Sequence, residues 1–117
     1  MLLVYGIPSC GTVKKARAWL DAAKRPYRFV DLRETPPARA QVEAWVAAFG
    51  TKALRNTSGG SYRALGAEKD GWSDKQWTDA FAADPMLIKR PVVERGGAPC
   101  FVGWTLSDAE LAARLGG

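Results

Sequence analysis

The chain begins with an apolar run, Leu2 to Tyr5, closed by Gly6 and Pro8, a pattern that predicts a buried strand running into a turn. Behind that turn Val13, Ala16, Leu20 and Ala23 recur at helical spacing, with Lys14, Lys15 and Arg17 off the stripe. An amphipathic helix is expected there. From Tyr27 to Leu32 the residues alternate, with Tyr27, Phe29 and Asp31 facing one way and Arg28 and Val30 the other. Mixed character on both faces predicts an edge or partly covered strand. The first 32 residues therefore read as a beta-alpha-beta unit.

The middle of the chain changes period. Val42, Trp45, Val46 and Phe49 fall at i, i+3, i+4 and i+7 after Thr35-Pro36-Pro37, and Gly50 is placed to stop the helix. Ser73-Asp74-Lys75-Gln76 is a capping box with Trp72 and Trp77 at the staple positions, so a helix should run to about Ala83. Between these helices the run NTSGGSYRALG is rich in turn formers and predicts a short helical turn near Tyr62 to Leu65. The tail returns to strand, with Pro91 to Glu94, the turn Arg95-Gly96-Gly97 and Cys100 to Trp104 forming an antiparallel hairpin. Ser107 and Glu110 make a second capping box with Leu106 and Leu111 as its staple, opening a helix to about Leu115. This order predicts an α/β protein with a mixed sheet. It is a thioredoxin-like fold (β-α-β, helical insertion at about residues 36–86, β-β-α) in a single domain spanning 1–117.

Composition narrows the chemistry. The 117 residues suit one core, and the 47% hydrophobic fraction argues against disorder. The net charge of +5 is scattered, with Lys14-Lys15 and Lys89-Arg90 as isolated pairs, so no basic stripe for nucleic acid is expected. An anionic ligand or an acidic protein surface fits better. Neither a signal peptide nor a run of about 18 apolar residues is present, which predicts a cytoplasmic protein with no membrane contact and free cysteines. The absence of histidine excludes Cys/His and Ser/His catalysis, and two distant cysteines do not make a zinc site. No bound metal or cofactor is expected.

Cys10 then stands out, at the junction of the first strand and the first helix. A thiol attacks as its thiolate, and a helix N-terminus favours an anion through unpaired N–H groups and the dipole. The Thr12 hydroxyl is an additional donor in reach, and Lys14 and Lys15 follow one turn on. Position alone leaves Cys10 open between a nucleophile and a small residue at a turn. Cys100, in the apolar run CFVGW, reads as a core or sheet-face residue. In LIKRPVV, Arg90 precedes a proline that opens a strand, where it is either a surface arginine or a fork for an oxyanion or carboxylate beside the first helix.

Taken together, YGIPSCGTVKKARAWL, NTSGGSYRALG and LIKRPVV resemble the arsenate reductase (ArsC) family of thioredoxin-like proteins, which includes the Spx/MgsR regulators and the YffB-like proteins. The resemblance covers nearly the whole chain. It implies that Cys10 is the nucleophile, Arg90 the oxyanion-binding arginine and Pro91 a cis-proline, with Gly11, Thr12, Lys14 and Ser58 at substrate-binding positions. It also implies resolution of the cysteine adduct by glutathione as co-substrate, with glutaredoxin as a further partner. Val13 stands where a C-x-x-C switch would carry its second cysteine, which suits a glutathione-linked reductase and departs from typical Spx regulators. Three further departures count against arsenate as the substrate. Gly6 replaces a histidine, Ser58 replaces the arginine of NTRG (with Arg55 and Arg63 nearby), and Gly103 replaces an arginine of the last strand.

The expectation is thus a single-cysteine, glutathione-dependent thiol/disulfide reductase closest to the YffB-like branch. The alternative is an Spx-like regulator that binds the RNA polymerase alpha subunit.

Overall fold

A computed structural model describes residues 1–115 of the chain. These residues divide into two compact units, one built from Met1–Asp31 together with the chain from Arg90 onward, the other from Leu32–Lys89.

The first unit holds a four-stranded mixed sheet. β1 (Leu2–Gly6) leads into α1 (Gly11–Ala22), and β2 (Tyr27–Asp31) returns parallel to β1, with Leu2 opposite Tyr27 and Gly6 opposite Asp31. β3 (Val92–Arg95) pairs antiparallel with β1, and β4 (Ala98–Val102) antiparallel with β3, giving the order β2-β1-β3-β4. As its mixed pattern predicts, β2 is an edge strand and only partly covered. Of the predicted helical stripe, Val13, Ala16 and Leu20 are buried, whereas Ala23 is exposed because α1 ends at Ala22 and leaves it as the C-cap. Leu20 joins Leu2, Val4, Val93 and Phe101 from the sheet and Leu111 and Leu115 from α6 (Asp108–Leu115) in one core. Burying a side chain of this size contributes roughly 1.5–3 kcal/mol, so this cluster is a large favourable contribution to the stability of the unit.

The capping box ahead of α6 forms as its sequence predicts. The Glu110 N–H donates to Ser107 Oγ and the Ser107 N–H to Glu110 Oε1, each at 3.2 Å. Trp19 Nε1 donates to Asp108 Oδ1 at 3.1 Å, tying α1 to the first turn of α6.

The hairpin is offset from its predicted bounds. β3 starts at Val92 and β4 at Ala98, with a register shift between Val93 and Glu94 that lets Ala98 and Pro99 face Arg95 and Glu94. β4 ends at Val102, two residues short of Trp104. The reason is Gly103, whose φ of 82° turns the chain out of the strand while its N–H donates to the Pro91 carbonyl at 2.8 Å.

The second unit is more broken than periodicity suggests. α2 (Arg39–Phe49) stops at Gly50 as expected. Four short elements follow: α3 (Thr51–Leu54), α4 (Gly60–Arg63), and 3-10 turns at Ala67–Gly71 and Pro85–Leu87. α4 lies two residues earlier than the predicted turn, because Ala64 N–H already closes on Gly60 O. α5 (Asp74–Ala83) starts from the Ser73–Gln76 capping box, and Trp72 packs edge-on to Trp77 at 4.9 Å. Val42, Trp45, Leu54, Trp77 and Phe81 are among the unit's large buried residues.

Candidate functional site

The β1–α1 junction is built from short-range forces. Cys10 N–H donates to Ile7 O at 3.2 Å, closing the turn, and Lys14 N–H donates to Cys10 O at 2.9 Å, starting the helix. Cys10 is therefore the N-cap of α1, in extended conformation, and its thiol closes no regular cap hydrogen bond. The N-terminal N–H groups are left to act on whatever charge forms at the sulfur.

That arrangement decides the acidity of the thiol. Partial burial pushes the Cys10 thiol up, but the main-chain N–H groups of Val13 and Thr12 beside the sulfur and the Arg90 side chain outweigh it. The Arg90 charge adds to them, and the net shift is below an ordinary thiol. All these donors stabilise the thiolate, not the thiol. Arg90 lies one residue ahead of β3, separated from it by Pro91, and the Arg90-Pro91 peptide bond is cis. Cys10, Arg90 and Pro91 thus belong to the same unit, with Gly11 and Thr12 beside them, both exposed. Thr12 contributes through its main-chain N–H, where its sequence position suggests the hydroxyl. Lys14 is exposed on the first turn.

Ser58 lies in the other unit. Its Oγ donates to Asn56 Oδ1 at 3.3 Å and its carbonyl accepts from Arg63 Nη1 at 2.6 Å. Arg55 is also engaged within that unit: its Nη2 donates to Thr51 Oγ1 at 3.2 Å, and its guanidinium lies 4.2 Å over the Trp77 ring. Cys100 is half-buried, its Sγ 3.5 Å from the Arg114 carbonyl.

Two departures from the arsenate reductase pattern are written into the backbone. A Cβ on Gly6 would stand 2.6 Å from Val13 Cγ2, so a histidine does not fit against the present α1. Gly103 holds a left-handed conformation that an arginine adopts only under strain.

Sequence reasoning missed one polar pair near this end of the sheet. Tyr5 OH donates to Glu94 Oε1 at 3.0 Å, and both residues are buried. The signal was available as a lone glutamate in the apolar run Pro91 to Glu94.

Comparison with known proteins places this geometry in a class. The model of the ArsC family matches residues 5–108, and the chain belongs to that family. YusI of Bacillus subtilis is 33% identical over 99 residues, spanning 81% of this chain and 84% of that protein. The arsenate reductase of Rhizobium meliloti is 34% identical over 93 residues, spanning 77% of this chain but only 66% of the reductase. The global transcriptional regulator Spx of Listeria innocua is 25% identical over 95 residues, covering 80% of this chain and 72% of Spx. A solved structure of a YFFB protein superposes with a TM-score of 0.87 at 35% identity, covering 99% of this chain and 100% of that one. The fold is the thioredoxin-like α/β fold of the ArsC family. Among the described residues, no helix is long and apolar enough to cross a membrane.

Proposed function

We propose that this protein is a single-cysteine thiol/disulfide reductase that draws its resolving thiol from glutathione. The observation that carries the reading is the Cys10 thiol held below its ordinary pKa by the Val13 and Thr12 N–H groups and Arg90, with a valine in place of a second loop cysteine. The Cys10 thiolate attacks one sulfur of a substrate disulfide; a Cys10–substrate disulfide forms, the substrate S–S bond breaks, and the second substrate sulfur leaves as a thiolate that solvent protonates. Glutathione thiolate then attacks the substrate sulfur of this mixed disulfide and releases Cys10. A second glutathione reduces the resulting substrate–glutathione disulfide, so two glutathiones end as one oxidised glutathione. Arg90 anchors a glutathione carboxylate beside the sulfur through its fork of donors, with Gly11, Thr12 and Lys14 lining the approach.

Arsenate is not proposed as the substrate, because Gly6 leaves no room for a side chain against Val13 and Gly103 holds a left-handed conformation that strains any larger residue. The test is to incubate the reduced protein with oxidised glutathione and locate the adduct by mass spectrometry, while following alkylation of Cys10 against pH with and without arsenate. An adduct on Cys10 and a midpoint below an ordinary thiol are expected. An unmodified Cys10, or protection by arsenate, sinks the reading.

The Spx relative supports one other reading, a regulator that binds the RNA polymerase alpha subunit. Capture of that subunit by the Cys10→Ser protein as well as by wild type, with no glutathione adduct on the latter, favours it.

A further inference from the structure

Gly6 and Val13 are packed more closely than any side chain at position 6 would allow. Gly6 ends β1 and Val13 is the third residue of α1, fully buried. A Cβ built on Gly6 falls 2.6 Å from Val13 Cγ2 and 3.2 Å from Cγ1, but 3.5 Å from Val13 Cβ. The first two separations require movement, whereas the third is ordinary van der Waals contact. The bare glycine therefore admits the valine methyls, and the valine in turn seats the first turn of α1 against the end of β1. The main-chain N–H of this same Val13 is one of the groups that hold the Cys10 thiol below its ordinary pKa.

We propose that Gly6 is a positioning residue for the Cys10 thiolate: by lacking a Cβ it lets Val13 sit down on β1, and so aims the Val13 N–H at the sulfur. This deepens the reductase reading and rests on it. Gly6 touches neither the sulfur nor any substrate in this scheme. Its effect passes through the placement of one helical turn, and a shift of a few tenths of an ångström there lengthens a hydrogen bond that forms only to the charged thiolate.

The geometry of the contact also supplies the control. An alanine at position 6 clashes with the methyls of Val13 but not with its Cβ, so Gly6→Ala combined with Val13→Ala fits the backbone as it stands. The experiment measures Cys10 alkylation against pH in wild type, Gly6→Ala and the double variant Gly6→Ala with Val13→Ala, with circular dichroism to verify folding and Cys100→Ser throughout to leave one thiol. Gly6→Ala should move the midpoint upward and slow alkylation at neutral pH by about tenfold, the scale of one weakened hydrogen bond to a charged group. The double variant should return the midpoint to the wild-type position.

A folded Gly6→Ala protein with an unmoved midpoint overturns the inference while leaving the reductase reading intact. So does a double variant whose midpoint stays raised, since position 6 would then act by some means other than contact with Val13. If Gly6→Ala fails to fold, the double variant decides alone, a wild-type midpoint supporting the inference and a raised one overturning it. A wild-type protein whose Cys10 titrates as an ordinary thiol overturns both the reading and the inference.

Discussion

The Arg90 side chain donates a hydrogen bond to the Cys10 sulfur, although one residue precedes the third strand and the other follows the first. The pairing is possible because β1 and β3 are direct neighbours, antiparallel, so that the end of one lies beside the start of the other. Tyr5 stands opposite Val92 at that end of the ladder. The guanidinium contributes both a donor and a charge to the thiolate. These two contributions separate experimentally. Arg90→Ala should raise the Cys10 midpoint and slow alkylation at neutral pH several-fold, and Arg90→Lys should recover part of the loss by restoring charge without the fork. Equal rates in all three proteins would remove Arg90 from the site.

The two cysteines should differ sharply. In the presence of oxidised glutathione, Cys100→Ser should take up one glutathione as wild type does, and Cys10→Ser should take up none. The Cys100 thiol donates to the Arg114 carbonyl, whereas the Cys10 sulfur faces donors that favour its thiolate. Peptide mapping that finds the adduct on Cys100 would contradict this assignment.

A depressed thiol pKa also makes stability depend on pH in a defined direction. The folded state holds Cys10 ionised at a pH where the unfolded chain still holds it protonated, at an ordinary value of about 8.5. The unfolded state then binds more protons, so stability rises with pH through that window. The contribution is complete above the unfolded pKa and is lost as pH falls through the folded one. Denaturant melts of wild type and Cys10→Ser across this range should show a stability difference that grows with pH and then levels off. A difference that is flat in pH would contradict the linkage.

The buried Tyr5–Glu94 pair predicts a cost without a change in chemistry. Tyr5→Phe removes the hydroxyl that donates to Glu94 Oε1 and should destabilise the fold by about 1–3 kcal/mol, the usual penalty for weakening the satisfaction of a buried polar group. The midpoint of Cys10 alkylation should not move. A stability unchanged within error would mean that other partners of Glu94 take over.

Ser107→Ala tests a smaller feature. Losing the N-cap of α6 should cost about 1 kcal/mol, seen as a lower melting temperature, because the Glu110 N–H loses its acceptor. No change in melting temperature would show that Ser107 contributes nothing to the stability of α6.

Much of this architecture is legible in the residues themselves where local physics decides the outcome. The stripe of α1 through Leu20, the stop at Gly50 and both capping boxes depend on spacing and on side chains reaching their own helix, and each is found where the pattern puts it. The order of elements along the chain is as the pattern gives it, while the pairing of β1 with β3 that brings Arg90 toward Cys10 is seen in the sheet itself. What was not legible has a common cause. α3, α4 and the 3-10 turns are too short to show a period, and they are held by single turn hydrogen bonds and by packing around Trp77, with Tyr62 stacked on its ring and Arg55 over its face. The hairpin boundaries differ from the pattern because a register shift and the left-handed Gly103 are properties of the paired strands and not of either one. The Gly6–Val13 contact joins residues that look unrelated in sequence, one a turn glycine and the other a core valine.

That contact restricts the order in which this chain can be altered. A histidine cannot be introduced at position 6 while a valine stands at position 13, because the first added atom already meets a methyl group 2.6 Å away. A smaller residue at 13, a cysteine among them, must come first. The two substitutions that would move the loop toward another member's chemistry are therefore epistatic: one is blocked until the other has been made. A library that varies position 6 alone meets the Val13 methyls at every substitution, whereas one that varies 6 and 13 together can relieve that contact.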